Sequence, residues 1–272
     1  MIQTPEVRIE SVAARTSGGG DSLQDLAFSA VDEILANTGR DAIGGVVAAT
    51  FTNTERFPAL SIRVASHIGL AAIPAFDIQL ACSAYPYALY AAGRLAADTG
   101  RKVVVIDGDV QSPFVDKSDH ATGHIFSDAV TASLVSCDPA SPSRSCFDFF
   151  SRLDGALECP SQGPIKMDGF KVFTFVATEV QAWLKKFIAE GGCGADEISA
   201  FLPHNANPYM VRQLAKSLGL TDRLVTADDK FLNPGSASIP LALATRDVPH
   251  GRILLAAFGA GLSASACTAR LQ

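Results

Sequence analysis

Three short stretches set chemistry-bearing side chains at the ends of apolar runs. In DIQLACSAYPYAL (77–89) an apolar run reaches Cys82, and small and aromatic residues of helical character follow. A thiol at a helix N-terminus meets the partial positive charge of the helix end, which lowers its pKa and favours the nucleophilic thiolate. The same residue also reads as a small buried hydrophobe. In LPHNANPYMV (202–211) His204 directly follows an apolar strand, and Asn207 with Pro208 opens a helix. Single histidines are commonly structural, but a Pro-His-Asn-Ala-Asn run is a poor recipe for a core. In FLNPGSASIPLAL (231–243) Asn233 sits in a turn of Pro, Gly and Ser ahead of another helix, where it also reads as a plain cap. Each stretch alone leaves packing and chemistry both open.

These residues need elements to hold them, and the chain has enough material to build those elements. Its 272 residues fit one large domain or two fused halves. Hydrophobic residues at 48% and charged residues at 18% describe a well-filled soluble globule rather than a disordered chain. A net charge of −6 without a basic run argues against a nucleic-acid binder. The N-terminus MIQTPEVRIE lacks the apolar core of a signal peptide, and no apolar run is long enough to span a membrane. Cys82, Cys137, Cys146, Cys159, Cys193 and Cys267 form no CxxC pair, and no His stands at ligand spacing. They read as reduced thiols of a cytoplasmic protein, with no metal site.

Short apolar runs alternate with helical patterns along the whole chain. Strands are expected at 7–14, 44–51, 75–80, 102–109 and 124–136, with helices at 22–36, 58–70 and after Cys82. A Pro- and Ser-rich stretch, CDPASPSRSC (137–146), reads as a loop. Helices then follow at 168–190, 207–219 and 236–245, with strands at 198–203, 223–227, 251–258 and 262–271. Such alternation implies a mostly parallel α/β sheet covered by helices. Two such units in tandem suggest duplicated βαβαβ halves in a five-layer α-β-α-β-α arrangement. The halves divide at 1–140, which carries Cys82, and 141–272, which carries His204 and Asn233.

Taken together, the three stretches resemble the thiolase-fold condensing enzymes, and most closely the ketoacyl-acyl-carrier-protein synthase III family. LACSAYPYAL is similar to that family's nucleophile segment, PHNANPYMVRQLAKSLG to its histidine segment and NPGSASIPLAL to its asparagine segment. IFSDAVTASLV resembles the strand beside the active site, AFGAGLSASACTARL the C-terminal hairpin, and MDGFKVFTF the first helix of the second half. The resemblance implies that Cys82 takes an acyl group from a thioester and holds it covalently. It implies an oxyanion hole from the N–H groups of Cys82 and Ala260. His204 and Asn233 would bind the thioester carbonyl of a malonyl donor as carbon dioxide leaves, and the carbanion would attack the acyl group. The pocket walls would include Tyr85, Phe126, Met167, Gly169, Phe173, Asn207 and Phe258. No cofactor is implied beyond acyl-CoA or acyl-carrier-protein thioesters as substrates.

The resemblance also implies partners: an acidic acyl carrier protein docking on Arg212 and Lys216, and a second subunit. Strand KVVVIDGD (102–109) would supply the pairing edge of a homodimer, or of a heterodimer with a related chain. The family's N-terminal region is longer, and the missing part falls after VRIESVAA, in the loop that grips the nucleotide of coenzyme A. The only tryptophan, Trp183, lies in a helical pattern, His120 replaces a nucleotide-associated arginine, and His124 replaces an apolar residue. Tyr209 occupies the family's usual docking arginine. An open entrance with little preference for coenzyme A over a pantetheine thioester is therefore expected. Acyl transfer to an amine or hydroxyl, and a non-catalytic subunit of a heterodimer, stand as the alternatives. Retention of Cys82, His204 and Asn233 together weighs against the last.

Overall fold

The computed structural model describes residues 1–17, 20–191 and 194–272; Cys193 and the glycines Gly18 and Gly19 of the SGGGDS loop lie outside the described residues. The first strand, β1 (Ile2–Thr16), leads into α1 (Leu23–Leu35), whose N-terminus is capped by Ser22 Oγ accepting from Asp25 N. Leu23, Leu26, Ala27, Ala30, Val31 and Ile34 recur at helical spacing and bury one face of α1. Then come β2 (Ile43–Ala49), α2 (Leu60–His67) and β3 (Ala75–Ile78). The Asp77 carboxylate of β3 accepts from Leu60 N at 2.8 Å and Ser61 N at 2.9 Å, satisfying the open end of α2. A 3₁₀ turn at Ala81–Ser83 carries Cys82 into α3 (Ala84–Thr99), followed by β4 (Lys102–Asp109) and β5 (Ala129–Asp138).

The second half starts with β6 (Arg144–Asp154) and a small hairpin of β7 (Leu157–Glu158) and β8 (Lys166–Met167). Helix α4 (Gly169–Phe175) passes through one π-helical turn, Val176–Val180, into α5 (Gln181–Glu190). Strand β9 (Ala200–Pro203), α6 (Pro208–Ser217), α7 (Ser238–Thr245), β10 (Gly251–Gly259) and β11 (Gly261–Leu271) complete the chain.

The strands lie in the order β3-β2-β4-β5-β1-β6-β11-β10-β9. Leu224 makes a lone parallel bridge to Phe201 of β9, so the second run reads Leu224-β9-β10-β11-β6. That is the order of the first run, β3-β2-β4-β5-β1, repeated. The buried cluster between the runs joins Ala88, Leu89 and Ala92 of α3 and Ile239 and Leu241 of α7 to Val105 of β4 and Leu255 of β10. Helices α3 and α7 are therefore the middle layer. Helices α1 and α2 cover the first run, and α4, α5 and α6 cover the second. This is the five-layer α/β architecture expected from the alternation of patterns.

Several local expectations need correction. The sheet is mixed rather than mostly parallel: β4–β5, β1–β5, β1–β6, β6–β11 and β10–β11 all pair antiparallel. The tight turn between β10 and β11 leaves room for no other geometry there. RLVTA contributes one bridge instead of a strand. Strand β5 begins at Ala129, because 124–128 are held by a bridge from Phe126 to Asn233 and by the Asp128 side chain. The 137–146 stretch is a short turn, since β5 and β6 run into it from both sides. KVVVIDGD forms β4, which is flanked by β2 and β5 and cannot be an open edge; that position belongs to β3.

Candidate active site

Cys82 sits in the 3₁₀ turn that opens α3, only 5% exposed. Ala81 before it has φ +45°, the left-handed region that favours glycine, so the turn holds the residue before Cys82 in a strained conformation. Serines stitch this turn to β11. Ser83 Oγ lies 2.6 Å from Ser263 Oγ, and Ser265 Oγ donates to Ser83 O at 2.7 Å. Gly259 comes so close that a Cβ there would lie 2.7 Å from Cys82 Cβ, so the strand end tolerates no side chain. The expected lowering of the thiol pKa is not met. Burial, with Asp109 and then Asp107 adding negative charge, pushes Cys82 up to about 12. At neutral pH Cys82 is therefore a thiol.

The two carboxylates lie at the end of β4, two residues apart on one face of the strand. Asp109 is fully buried and well satisfied: Oδ1 accepts from Thr50 Oγ1 at 2.8 Å and Phe51 N at 2.9 Å, and Oδ2 accepts from Ser236 Oγ at 2.9 Å. Asp107 is equally buried, and neither of its oxygens has a hydrogen-bond partner. Burial, with Asp109 beside it, holds its carboxyl well above the usual carboxylate range, although the nearby Ser236 hydroxyl works the other way. Ser236 has one proton to give, and the bond at 2.9 Å assigns it to Asp109. Period-2 alternation in VIDGD was the signal that could have placed both acids on one face of the strand.

His204 follows β9, 1% exposed, with its ring edge-on to Phe258. Burial lowers its pKa to about 4, so the imidazole is neutral at physiological pH. Nδ1 is sealed from solvent without a partner. Asn233 is held by its backbone: its N–H donates to Ile125 O at 3.0 Å, and its carbonyl accepts from Ser127 N at 3.1 Å. Its side-chain Oδ1 accepts from Gly235 N at 3.0 Å, which turns Nδ2 away from the turn as a free donor. Asn233 is therefore more than a helix cap. Asn207 is a cap, its Oδ1 accepting from Tyr209 N and Met210 N at the start of α6.

Two cavities meet at Cys82. One, of about 450 Å³, brings Cys82, His204 and Asn233 together. Its walls include Met167, Gly169, Phe173, Asn207 and Phe258. The other, of about 370 Å³, is lined by Cys82, Leu80, Gln111, Ile165 and Ala260 among others. Phe126 and Leu157 border both. Tyr85 does not belong to the walls. One helical turn beyond Cys82, it points into the core and places its hydroxyl 2.9 Å from Ser133 Oγ. Gln111, Leu80 and Leu157 were missed, because residues at strand ends and in a two-residue strand reach a cavity through tertiary folding and carry no periodic mark.

Arg212 and Lys216 are exposed on one face of α6, away from the buried stripe Met210, Val211 and Leu214. Trp183 donates its indole N–H to Asp148 at 2.9 Å, a structural role, and His120 and His124 are exposed. No cluster able to hold a metal ion occurs among the described residues.

A buried thiol at a helix start, an imidazole and a side-chain amide around the same cavity, and a duplicated α/β sheet are the parts of a thiolase-fold acyl-transferring enzyme. Residues 76–155 match the family model described as 3-oxoacyl-[acyl-carrier-protein] synthase III, and residues 188–271 its C-terminal model. The chain is 34% identical to beta-ketoacyl-[acyl-carrier-protein] synthase III 2 of Streptomyces coelicolor, over 90% of this chain and 78% of that protein. It is also 34% identical to the mycobacterial beta-ketoacyl-[acyl-carrier-protein] synthase III of Mycobacterium avium, over 94% and 84% of the two chains. The fold is similar to that of a 3-oxoacyl-(acyl-carrier protein) synthase from Burkholderia xenovorans, with a TM-score of 0.91 at 24% identity, covering 99% of this chain and 95% of that one. The chain belongs to the 3-oxoacyl-[acyl-carrier-protein] synthase III family.

Proposed function

We propose that the protein loads an acyl group onto Cys82 and condenses it with a malonyl thioester. In the first half-reaction Cys82 Sγ attacks the donor's thioester carbonyl. The N–H groups of Cys82 and Ala260 hold the tetrahedral oxyanion, the donor's C–S bond breaks, and the thiol proton leaves with the departing sulfur. In the second, Nε2–H of neutral His204 and Nδ2–H of Asn233 donate to the malonyl thioester carbonyl. The bond to the carboxylate breaks, carbon dioxide departs, and the electron pair becomes an enolate that these two donors stabilise. The enolate carbon attacks the acyl-Cys82 carbon, the same hole holds the new oxyanion, and collapse expels the Cys82 thiolate and releases a 3-oxoacyl thioester.

The observation that carries this reading is the shared cavity of Cys82, His204 and Asn233, with the Asn233 amide oxygen already engaged by Gly235 N. The thioesters are substrates, and the cycle needs no further cofactor. Fatty acid or polyketide biosynthesis in the cytoplasm suits such chemistry, and no helix among the described residues is long and apolar enough to cross a membrane. The chain divides into halves at the turn after β5, 1–140 bringing the nucleophile and 141–272 the two donors. An acyl carrier protein delivers the malonyl group, and two copies pair through β3.

Intact-protein mass after incubation with acyl-CoA, acyl-pantetheine and acyl-carrier thioesters tests the assignment. Wild type should gain one acyl mass and Cys82→Ala none. His204→Ala and Asn233→Ala should still acylate but lose about 10²–10³ in carbon dioxide release, the usual cost of one oxyanion donor. Acylation of Cys82→Ala at the wild-type rate would sink the nucleophile. Acyl transfer to another acceptor becomes the function if wild type releases no carbon dioxide from any malonyl thioester.

A further inference from the structure

Gln111 belongs to both halves of the site. Its side chain is 1% exposed and lines the smaller cavity beside Cys82. Its amide nitrogen donates to Ser127 O at 2.7 Å and to Asn233 O at 3.1 Å. The residue is itself anchored. Its backbone N–H donates to Asp128 Oδ1 at 2.7 Å, and the same carboxylate accepts from Ser112 N at 2.8 Å and Ser112 Oγ at 2.6 Å.

Behind Asn233, Gly235 takes φ +62°, and a Cβ there would lie 3.0 Å from Asp109 Oδ2 and 3.2 Å from Gln111 Oε1. Gly235 N in turn orients the Asn233 side chain by donating to Oδ1. Asn233 is thus held at two points: its carbonyl by Gln111 and Ser127, and its side-chain oxygen by a turn packed on Gln111. Buried donors that satisfy two carbonyls at once are costly to remove, because the carbonyls lose a partner that water cannot replace.

We propose that Gln111 is a positioning residue for decarboxylation: its amide clamps the Asn233 carbonyl and so aims the Asn233 side chain at the donor thioester. The inference rests on the condensing reading above and adds a residue outside the nucleophile and the two donors. Gln111 touches neither the malonyl carbonyl nor Cys82 Sγ in this role; it acts only through Asn233. A small misplacement of a catalytic donor has a large effect on rate, because the donor must meet charge where it develops.

Gln111→Met tests this, since methionine fills a similar volume and brings no donor. Acylation of Cys82, followed by intact mass, should fall much less than decarboxylation does, since the amide of Gln111 acts on the donor side through Asn233. Release of carbon dioxide from a malonyl thioester should fall by about ten- to a hundredfold, less than the full loss of a donor. The fall should appear in kcat, with KM for the malonyl thioester little changed. Gln111→Glu should be at least as slow, because it sets an acceptor against two carbonyl oxygens. Decarboxylation within threefold of wild type in Gln111→Met overturns the proposal, and so does an equal fall in both half-reactions, which is what general loosening produces. A wild-type protein that acylates but never releases carbon dioxide overturns the condensing reading instead, and the inference with it.

Discussion

At the scale of residues, the site works with uncharged groups. Cys82 is held as a thiol by burial and by the acids behind it, and His204 is held neutral by burial. A neutral imidazole still keeps one N–H proton to donate. Neutrality has a consequence for stability. The unfolded His204 takes up a proton near its ordinary 6.5, whereas the folded one resists until about 4. Between those values the unfolded state binds more protons, so stability falls as pH drops through the window and is fully present above it. A span of that width is worth about 3 kcal/mol at 1.36 kcal/mol per pKa unit. The unfolding free energy of wild type minus that of His204→Gln should therefore rise by about 3 kcal/mol from pH 4 to 7. Parallel pH curves for the two proteins would show that His204 titrates normally.

At the scale of elements, α6 serves two ends. Its first turn, capped by Asn207 behind Pro208, closes one wall of the larger cavity, while its outer face carries Arg212 and Lys216 four residues apart. Neither makes an ion pair among the described residues, so both positive charges are available to an acidic carrier protein. Tyr209 and Phe173, stacked with ring centroids 6.5 Å apart, stand at the cavity beside them. Reversing both charges, Arg212→Glu with Lys216→Glu, should slow reaction with carrier-bound malonyl groups by tenfold or more at low salt, as attraction to the face turns to repulsion. Pantetheine-bound malonyl should be nearly unaffected. Equal slowing of both substrates would remove α6 from carrier docking.

At the scale of the whole molecule, the first run of strands ends on β3, whose outer edge has no partner among the described residues. Phe76 on that strand is 40% exposed, and an open edge with an apolar side chain is a surface that proteins cover. Pairing of two β3 strands across a two-fold axis would extend the sheet through a dimer and bring the two Cys82 turns near one interface, because Cys82 follows β3 by only a few residues. Light scattering at micromolar concentration should give twice the chain mass. Phe76→Lys should shift the protein toward monomer, and a wild-type monomer would count against the pairing.

How much of this was legible in the chain differs by feature. Cys82, His204 and Asn233 stood out in sequence together, because their three segments resemble those of one family in order and context; each stretch alone left packing and chemistry open. The five layers followed from alternating patterns, since a helix with one apolar stripe must bury it on a strand surface. Strand direction did not follow, because parallel and antiparallel neighbours share the same apolar runs; this is why β5 and β11 reverse direction unannounced. The position of KVVVIDGD inside the sheet was equally hidden, as burial on both faces looks alike for a central strand and a covered edge. Tyr85 went astray because proximity to Cys82 along the chain says nothing about which face of α3 it occupies. Gln111 and Asp109 matter through tertiary contacts, some of them with residues more than a hundred positions away, such as Asn233 and Ser236. The local sequence decided which groups stand at strand ends, and only the folded sheet decided which of them face one another, because hydrogen bonds and burial act through distance in space.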